Sequence, residues 1–260
     1  NPIISIGINR AYYSGIFPEH YVNDWEMTDA LNLVVEPLFG QSKTGLSYTI
    51  DGTQGFDDWD EILSVNLKLI FPDDKIELYA EIGSDDNRAN LTDLRAHWDH
   101  TLGYQLGLIK ELNFYHKNLL FGFEYTSTRE SNTFKSSFFR ANPNASNFYS
   151  KGLYDFSTYE GRFMGAHSGS SSIDYVILLG LISNSNSLLL TYNKEKNGIK
   201  HKEFPELKDE ISLAFVKKID FRHSVFIKAE YEKINNFRFL NLESSKSNLL
   251  FLGYTFHFIR

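Results

Sequence analysis

The feature that most constrains this chain is the period of its apolar residues, which is two nearly everywhere and rarely close to that of a helix. From Asn118 to Thr126, Leu119, Phe121, Phe123 and Tyr125 alternate with Asn118, Leu120, Gly122, Glu124 and Thr126. Successive side chains of a strand point to opposite faces, so this segment carries one apolar face and one largely polar face. The preceding segment repeats the pattern, with Tyr104, Leu106, Leu108, Leu112 and Phe114 on one face and only Lys110 interrupting it. Tyr115 and His116 join the two segments as a hairpin. The alternation returns at Leu63 to Leu69, Ile76 to Ile82, Ile211 to Phe215, Val225 to Tyr231 and Leu250 to Phe258.

Twelve strands are expected, at about 3–10, 29–37, 44–51, 61–71, 75–83, 102–114, 117–128, 173–183, 186–194, 208–219, 222–233 and 247–259. Their connections alternate strictly between long ones (11–28, 52–60, 84–101, 129–172, 195–207, 234–246) and short ones (39–43, 72–74, 115–116, 184–185, 220–221). Tight turns on one rim and long loops on the other are the pattern of an outer-membrane barrel. Hydrocarbon offers no partner for backbone N–H and C=O, so a sheet can span a membrane only when it closes. The expected fold is therefore all-β, an antiparallel up-and-down transmembrane β-barrel. A soluble β-sandwich or β-propeller would also alternate, but its dry interior would have to accept the Gly, Ser, Asn, Lys and Glu of the second face. The aromatic fraction of 15%, with 22 Phe and 15 Tyr, suits interfacial girdles, for which Tyr125, Tyr192, Tyr231 and Phe258 are placed at strand ends.

Composition narrows the partners. A formal charge of -7, from 26 Lys+Arg against 33 Asp+Glu without a basic stripe, argues against nucleic acid. Zero cysteines exclude disulfides, thiolate metal sites and cysteine nucleophiles. The longest nearly uncharged apolar stretch, Tyr175 to Ile182, is far shorter than the ~20 residues of a membrane-spanning helix. The chain opens Asn-Pro-Ile-Ile-Ser-Ile-Gly with neither a Met nor the basic and apolar regions of a secretory signal, so it reads as mature, trimmed or a fragment.

Gly253-Tyr254-Thr255-Phe256-His257-Phe258 resembles the C-terminal assembly signal of outer-membrane barrels, which implies the barrel-assembly machinery as a partner during biogenesis. The stretch from Phe148 to His167 resembles a motif of the capsule-assembly Wzi family, in which a Tyr-rich segment runs into Gly-Arg, a further Gly, a His and then Asp at a barrel strand. The matching positions are Tyr154, Tyr159, Gly161, Arg162, Gly165, His167 and Asp174, although Ser168 to Ser172 stand where acidic residues are more usual. Ile6-Gly7-Ile8-Asn9-Arg10-Ala11 and Leu78-Tyr79-Ala80-Glu81 with Asp85-Asp86 are similar to further family segments. The family is longer, so the resemblance implies that residues 1–260 form a single outer-membrane barrel domain at the C-terminal part of a longer chain. It also implies a non-enzymatic surface lectin for capsular or other exopolysaccharide, embedded in outer-membrane lipid of a Gram-negative cell with its long loops extracellular. A porin or diffusion channel is the alternative, and an outer-membrane hydrolase a third reading without a Gly-x-Ser-x-Gly frame.

Sugar recognition needs flat aromatic faces against C–H surfaces, and acidic sugars favour Arg, which grips carboxylates bidentately. The long connections offer both, and Tyr13, Trp25, Trp59, Trp98, Tyr159 and Arg162 are the expected polysaccharide-binding residues. Each of them could instead pack loops over the barrel mouth, and Arg162 could tie the longest loop to a lumen carboxylate. His97 and His100 have a chelating spacing without a third ligand nearby in sequence, and Asp57-Asp58, Asp73-Asp74 and Asp85-Asp86 read as solvated turn residues. No catalytic residue, no metal site and no cofactor is expected.

Overall fold

A computed structural model describes residues 2–14, 59–85, 102–129, 158–159, 162–163, 166–199 and 202–256. Ten strands form one antiparallel sheet: β1 (Ile3–Ser14), β2 (Trp59–Phe71), β3 (Ile76–Asp85), β4 (Leu102–Phe114), β5 (Lys117–Ser127), β8 (Ile173–Ile182), β9 (Asn186–Asn197), β10 (Glu206–Lys218), β11 (His223–Asn235) and β12 (Ser244–Phe256). Two short strands, β6 (Thr158–Tyr159) and β7 (Arg162–Phe163), pair with each other inside the longest connection. The sheet order follows the chain, an up-and-down meander, and one 3-10 turn at Phe237–Phe239 is the helical element among the described residues.

Four of the short connections are seen where the alternation placed them, at 72–75, 115–116, 183–185 and 219–222. The first closes with the Lys75 amide donating to the Pro72 carbonyl at 3.2 Å. The last is held by Asp220, whose carboxylate accepts the Arg222 and His223 amides at 2.7 and 2.9 Å. These bonds, that of Arg222 foremost, hold the Asp220 carboxyl below its ordinary range.

One expectation changes. Strand β1 hydrogen-bonds β2 from Ile3↔Ile70 to Ser14↔Trp59, so these strands are adjacent where two further strands were expected between them. The segments 29–37 and 44–51 lie outside the described residues, as do the short connection 39–43 and Phe258. Among the described residues ten of the twelve expected strands form the sheet, which is open, with β1 and β12 as its edges.

Several strands run further than the periodicity indicated, and on one rim. β1 continues to Ser14, β3 to Asp85, β9 to Asn197 and β11 to Asn235, while β2, β10 and β12 begin earlier, at Trp59, Glu206 and Ser244. All of these ends adjoin long connections. A backbone ladder needs no apolar side chains, so pairing continues past the point where the apolar alternation stops.

The two faces are inverted relative to a water-soluble sheet. The apolar face is open: Ile4, Ile6 and Ile8 are 63%, 71% and 72% exposed, and Leu63, Leu106, Phe121, Phe123, Leu179, Leu213 and Leu252 are exposed as well, from 36% at Phe123 to 71% at Leu252. The polar face is sheltered, with Ser64, Thr126, Asp174, Asn193, Glu195 and Ser212 buried. In a sandwich the Leu119, Phe121 and Phe123 face would be covered; here it is exposed. Lys110, the cation on that face of β4, turns its ammonium to the Asp74 carbonyl in the neighbouring turn, keeping its charge at the rim.

Aromatic side chains mark both ends of the apolar face. Near the long connections Tyr104, Tyr125 and Tyr175 form a row across β4, β5 and β8, with ring centroids 5.8 and 4.9 Å apart. At the opposite rim stand Phe114, Phe221, Tyr254 and Phe256, the last two packed on the His223 ring. Tyr104 and Phe114 are ten residues apart on β4. At ~3.4 Å per residue and a tilt of ~40°, that distance is a height of about 26 Å, close to the apolar band of membrane barrels.

Glycine on the polar face makes room for cross-strand contacts. Tyr79 on β3 lies opposite Gly107 on β4, which lies opposite Glu124 on β5. A Cβ on Gly107 would fall 1.9 Å from Tyr79 Cζ, so the ring crosses β4 above Gly107 and its hydroxyl donates to Glu124 Oε2 at 2.5 Å. Gly107→Val should displace that ring and strand the carboxylate, lowering unfolding stability in urea by about 1–3 kcal/mol. Tyr79→Phe, which keeps the ring and loses the bond, should cost less than Gly107→Val, and heat-modifiable mobility on gels reads both.

Candidate functional site

The long-connection rim gathers the chemically richest part of the polar face. Register brings Asp174 on β8 opposite Glu195 on β9, and Glu195 opposite Lys208 on β10. The Lys208 ammonium is shared among Glu210, Glu232 and Glu195, at 3.1, 3.4 and 3.8 Å. Lys228–Glu230 and Lys68–Glu77, both at 2.6 Å, continue the pattern of paired charges along this face.

His167 completes the group. Its Nε2 lies 3.3 Å from Asp174 Oδ2 and 3.6 Å from Glu195 Oε2. The carboxylates are buried, at 1% and 5% side-chain exposure, while the imidazole is 59% exposed. Each carboxylate is steadied through its other oxygen, Asp174 Oδ1 by the Asn193 amide and Glu195 Oε1 by the Asn197 amide, both at 2.5 Å.

The serine-rich run that follows His167 explains how a residue outside the sheet reaches this position. Ser172 Oγ donates to Ser168 Oγ at 2.8 Å, and Thr128 Oγ1 lies 2.8 Å from Ser172 Oγ and donates to the Gly169 carbonyl at 2.6 Å. The Thr128 and Ile199 amides reach the Ser172 and Ser171 carbonyls, each at 3.0 Å. Gly169 and Ser171 take positive φ, 71° and 53°, which turns the chain tightly enough for these bonds to form. Ser168, Ser171, Ser172 and Thr128 are all buried, so the run is a hydroxyl knot that ties residues 166–172 to the tops of β5 and β9.

The expected binding residues separate into three groups. Tyr13 and Trp59 stand at the rim ends of β1 and β2, where the register sets Tyr13 opposite Asp60 and Ser14 opposite Trp59, so the two are one position out of step. Tyr159 and Arg162 are direct partners across β6 and β7. Trp25 and Trp98 lie outside the described residues, as do His97, His100, Asp57 and Asp58. The cluster of His167, Asp174 and Glu195 was not foreseen. Two of its members stand in the motif that carries the family resemblance, but Glu195 falls just past the alternating part of β9.

Residues 30–249 match the family described as Capsule assembly protein Wzi. The chain belongs to the Wzi capsule-assembly family. No match was found among curated proteins. Membership covers the sheet from β2 to the first part of β12 and includes every Wzi-motif position quoted above between Tyr154 and Asp174.

The hydroxyl knot generates an expectation of its own. Ser172→Ala removes the central oxygen and leaves Thr128 and Ser168 each short of a buried partner, a loss of about 1–3 kcal/mol. Hydrogen exchange should quicken over 166–172 and at the Thr128 amide, while the β10–β11 ladder keeps its protection.

Proposed function

We propose that this Wzi-family protein sits in the outer membrane and attaches capsular or other exopolysaccharide to the cell surface as a lectin without enzymatic activity. The observation that carries the membrane part is the exposed apolar face with aromatic rows at both ends, beside a sheltered polar face. Such a sheet suits hydrocarbon on one side and water on the other. Leu106→Arg, in the middle of that face, should cost about 2–4 kcal/mol in lipid, and Ser187→Arg, on the opposite face near a turn, should cost less. Folding yields into liposomes of the two variants check this, and equal yields would count against membrane insertion.

The polysaccharide part rests on family membership and on the rim chemistry. Tyr13 and Trp59 stand on neighbouring strands at one edge of the rim, and Tyr159 and Arg162 are register partners within the longest connection. Together they supply aromatic surface and a bidentate cation for an acidic sugar. The long connections face outward in this reading, and the barrel-assembly machinery inserts the chain. Combined Tyr13→Ala, Trp59→Ala, Tyr159→Ala and Arg162→Ala in the folded protein should release polysaccharide from cells. Undiminished retention would exclude this rim as the binding surface, and Arg162→Ala alone separates ligand binding from an internal tie by whether folding stability also falls.

A diffusion channel is the second reading, favoured by the paired charges of Lys68, Glu77, Lys208, Glu210 and Glu232 along the polar face. Planar-bilayer conductance of the whole protein distinguishes the two: sugar-sized conductance without polysaccharide retention selects the channel.

A further inference from the structure

We propose that His167 Nε2, Asp174 Oδ2 and Glu195 Oε2 form a binding site for a divalent transition-metal cation, with Zn2+ the best match. The three donor atoms lie within 4.8 Å of one another. Zinc bonds of ~2.0–2.2 Å at tetrahedral angles place donor atoms about 3.3–3.6 Å apart. The two separations at His167 Nε2 are 3.3 and 3.6 Å.

A second observation points to a ligand independently of the clustering. Asp174 Oδ2 is buried and has no hydrogen-bond partner among the described residues, although the imidazole stands beside it. An unsatisfied buried carboxylate oxygen is costly, and a cation shared with the imidazole would remove that cost. The surrounding amides fit the same purpose. Asn193 and Asn197 each bind the oxygen that points away from the cluster, leaving Asp174 Oδ2 and Glu195 Oε2 to converge on His167. Metal-ligating groups are commonly oriented in this way by outer hydrogen bonds.

The donor set selects among cations. One imidazole with two carboxylates suits zinc or manganese better than calcium, which prefers six or more oxygens. Three protein ligands also leave a coordination position open, and the exposed side of His167 admits solvent to it. Lys208 is a competing cation, but it stands 3.8 Å from Glu195 Oε2 and closer to Glu210 and Glu232. The ion would clip the end of the longest connection to β8 and β9, adding a metal tie to the hydroxyl knot.

The test uses the full chain without a tag, folded in detergent, stripped with chelator and titrated with Zn2+ by calorimetry. One equivalent should bind, and His167→Ala and Asp174→Asn should each weaken binding at least tenfold. Asn193→Ala, which removes an outer hydrogen bond, should weaken it about 10–100-fold. His116→Ala, in an exposed turn, and the double variant His97→Ala with His100→Ala should bind as the parent does. His167 is exposed, so His167→Ala decides the matter even if Asp174→Asn fails to fold. Absence of stoichiometric binding at 100 µM Zn2+ would overturn the site, as would parent-like binding by His167→Ala or loss of binding in the His97 and His100 variant.

Discussion

Everything in this molecule hangs on the cross-strand ladder. Each neighbouring pair of strands is bonded along most of its length, and those bonds satisfy the backbone without help from what surrounds the sheet. Side chains on one face are thereby free to be apolar and exposed, a choice that would be ruinous for a sheet in water and is natural for one in lipid. The other face can then collect Ser, Asn, Lys and Glu, which shelter one another as ion pairs and amide bonds.

The same ladder builds the site. Asp174 and Glu195 come together because β8 and β9 pair in one register, and a shift by a single residue would send one of them to the apolar face. Glycine performs the complementary task, since Gly107 lets Tyr79 pass over β4 to Glu124 and Gly253 leaves space for the Phe226 ring from β11. Polar specificity on this face thus depends on which residues lack a side chain as much as on which carry one.

How much of this was readable beforehand differs between the two levels. Period-two alternation in 104–114 and 118–126 revealed the strands, the hairpin at Tyr115 and His116, and the apolar face, because these depend on neighbours in sequence. The adjacency of β1 and β2 was not readable, since pairing across residues 15–58 leaves no local signature. Strand ends at the long-connection rim were also missed, because Glu195-Lys196-Asn197 extends the ladder with polar side chains on both faces. The cluster was hidden for both reasons: Glu195 sat in an unrecognised strand end, and His167 is placed by bonds from Ser168, Ser172 and Thr128 that only the folded chain assembles. Tyr13, Trp59, Tyr159 and Arg162 were singled out for their chemistry alone, and only the register sets Tyr159 opposite Arg162 and Tyr13 opposite Asp60.

The two rims differ in their tolerance of length change. At one rim Lys75 and Tyr115 hold positive φ in turns with no residue to spare, so an insertion there would force the register of a whole hairpin. At the other, closing a connection costs only about 0.6 kcal/mol more for each doubling of its length. A connection on that rim can therefore change length at small cost while the ladder stays as it is. One sheet of this kind can carry many different rims without redesign of the scaffold.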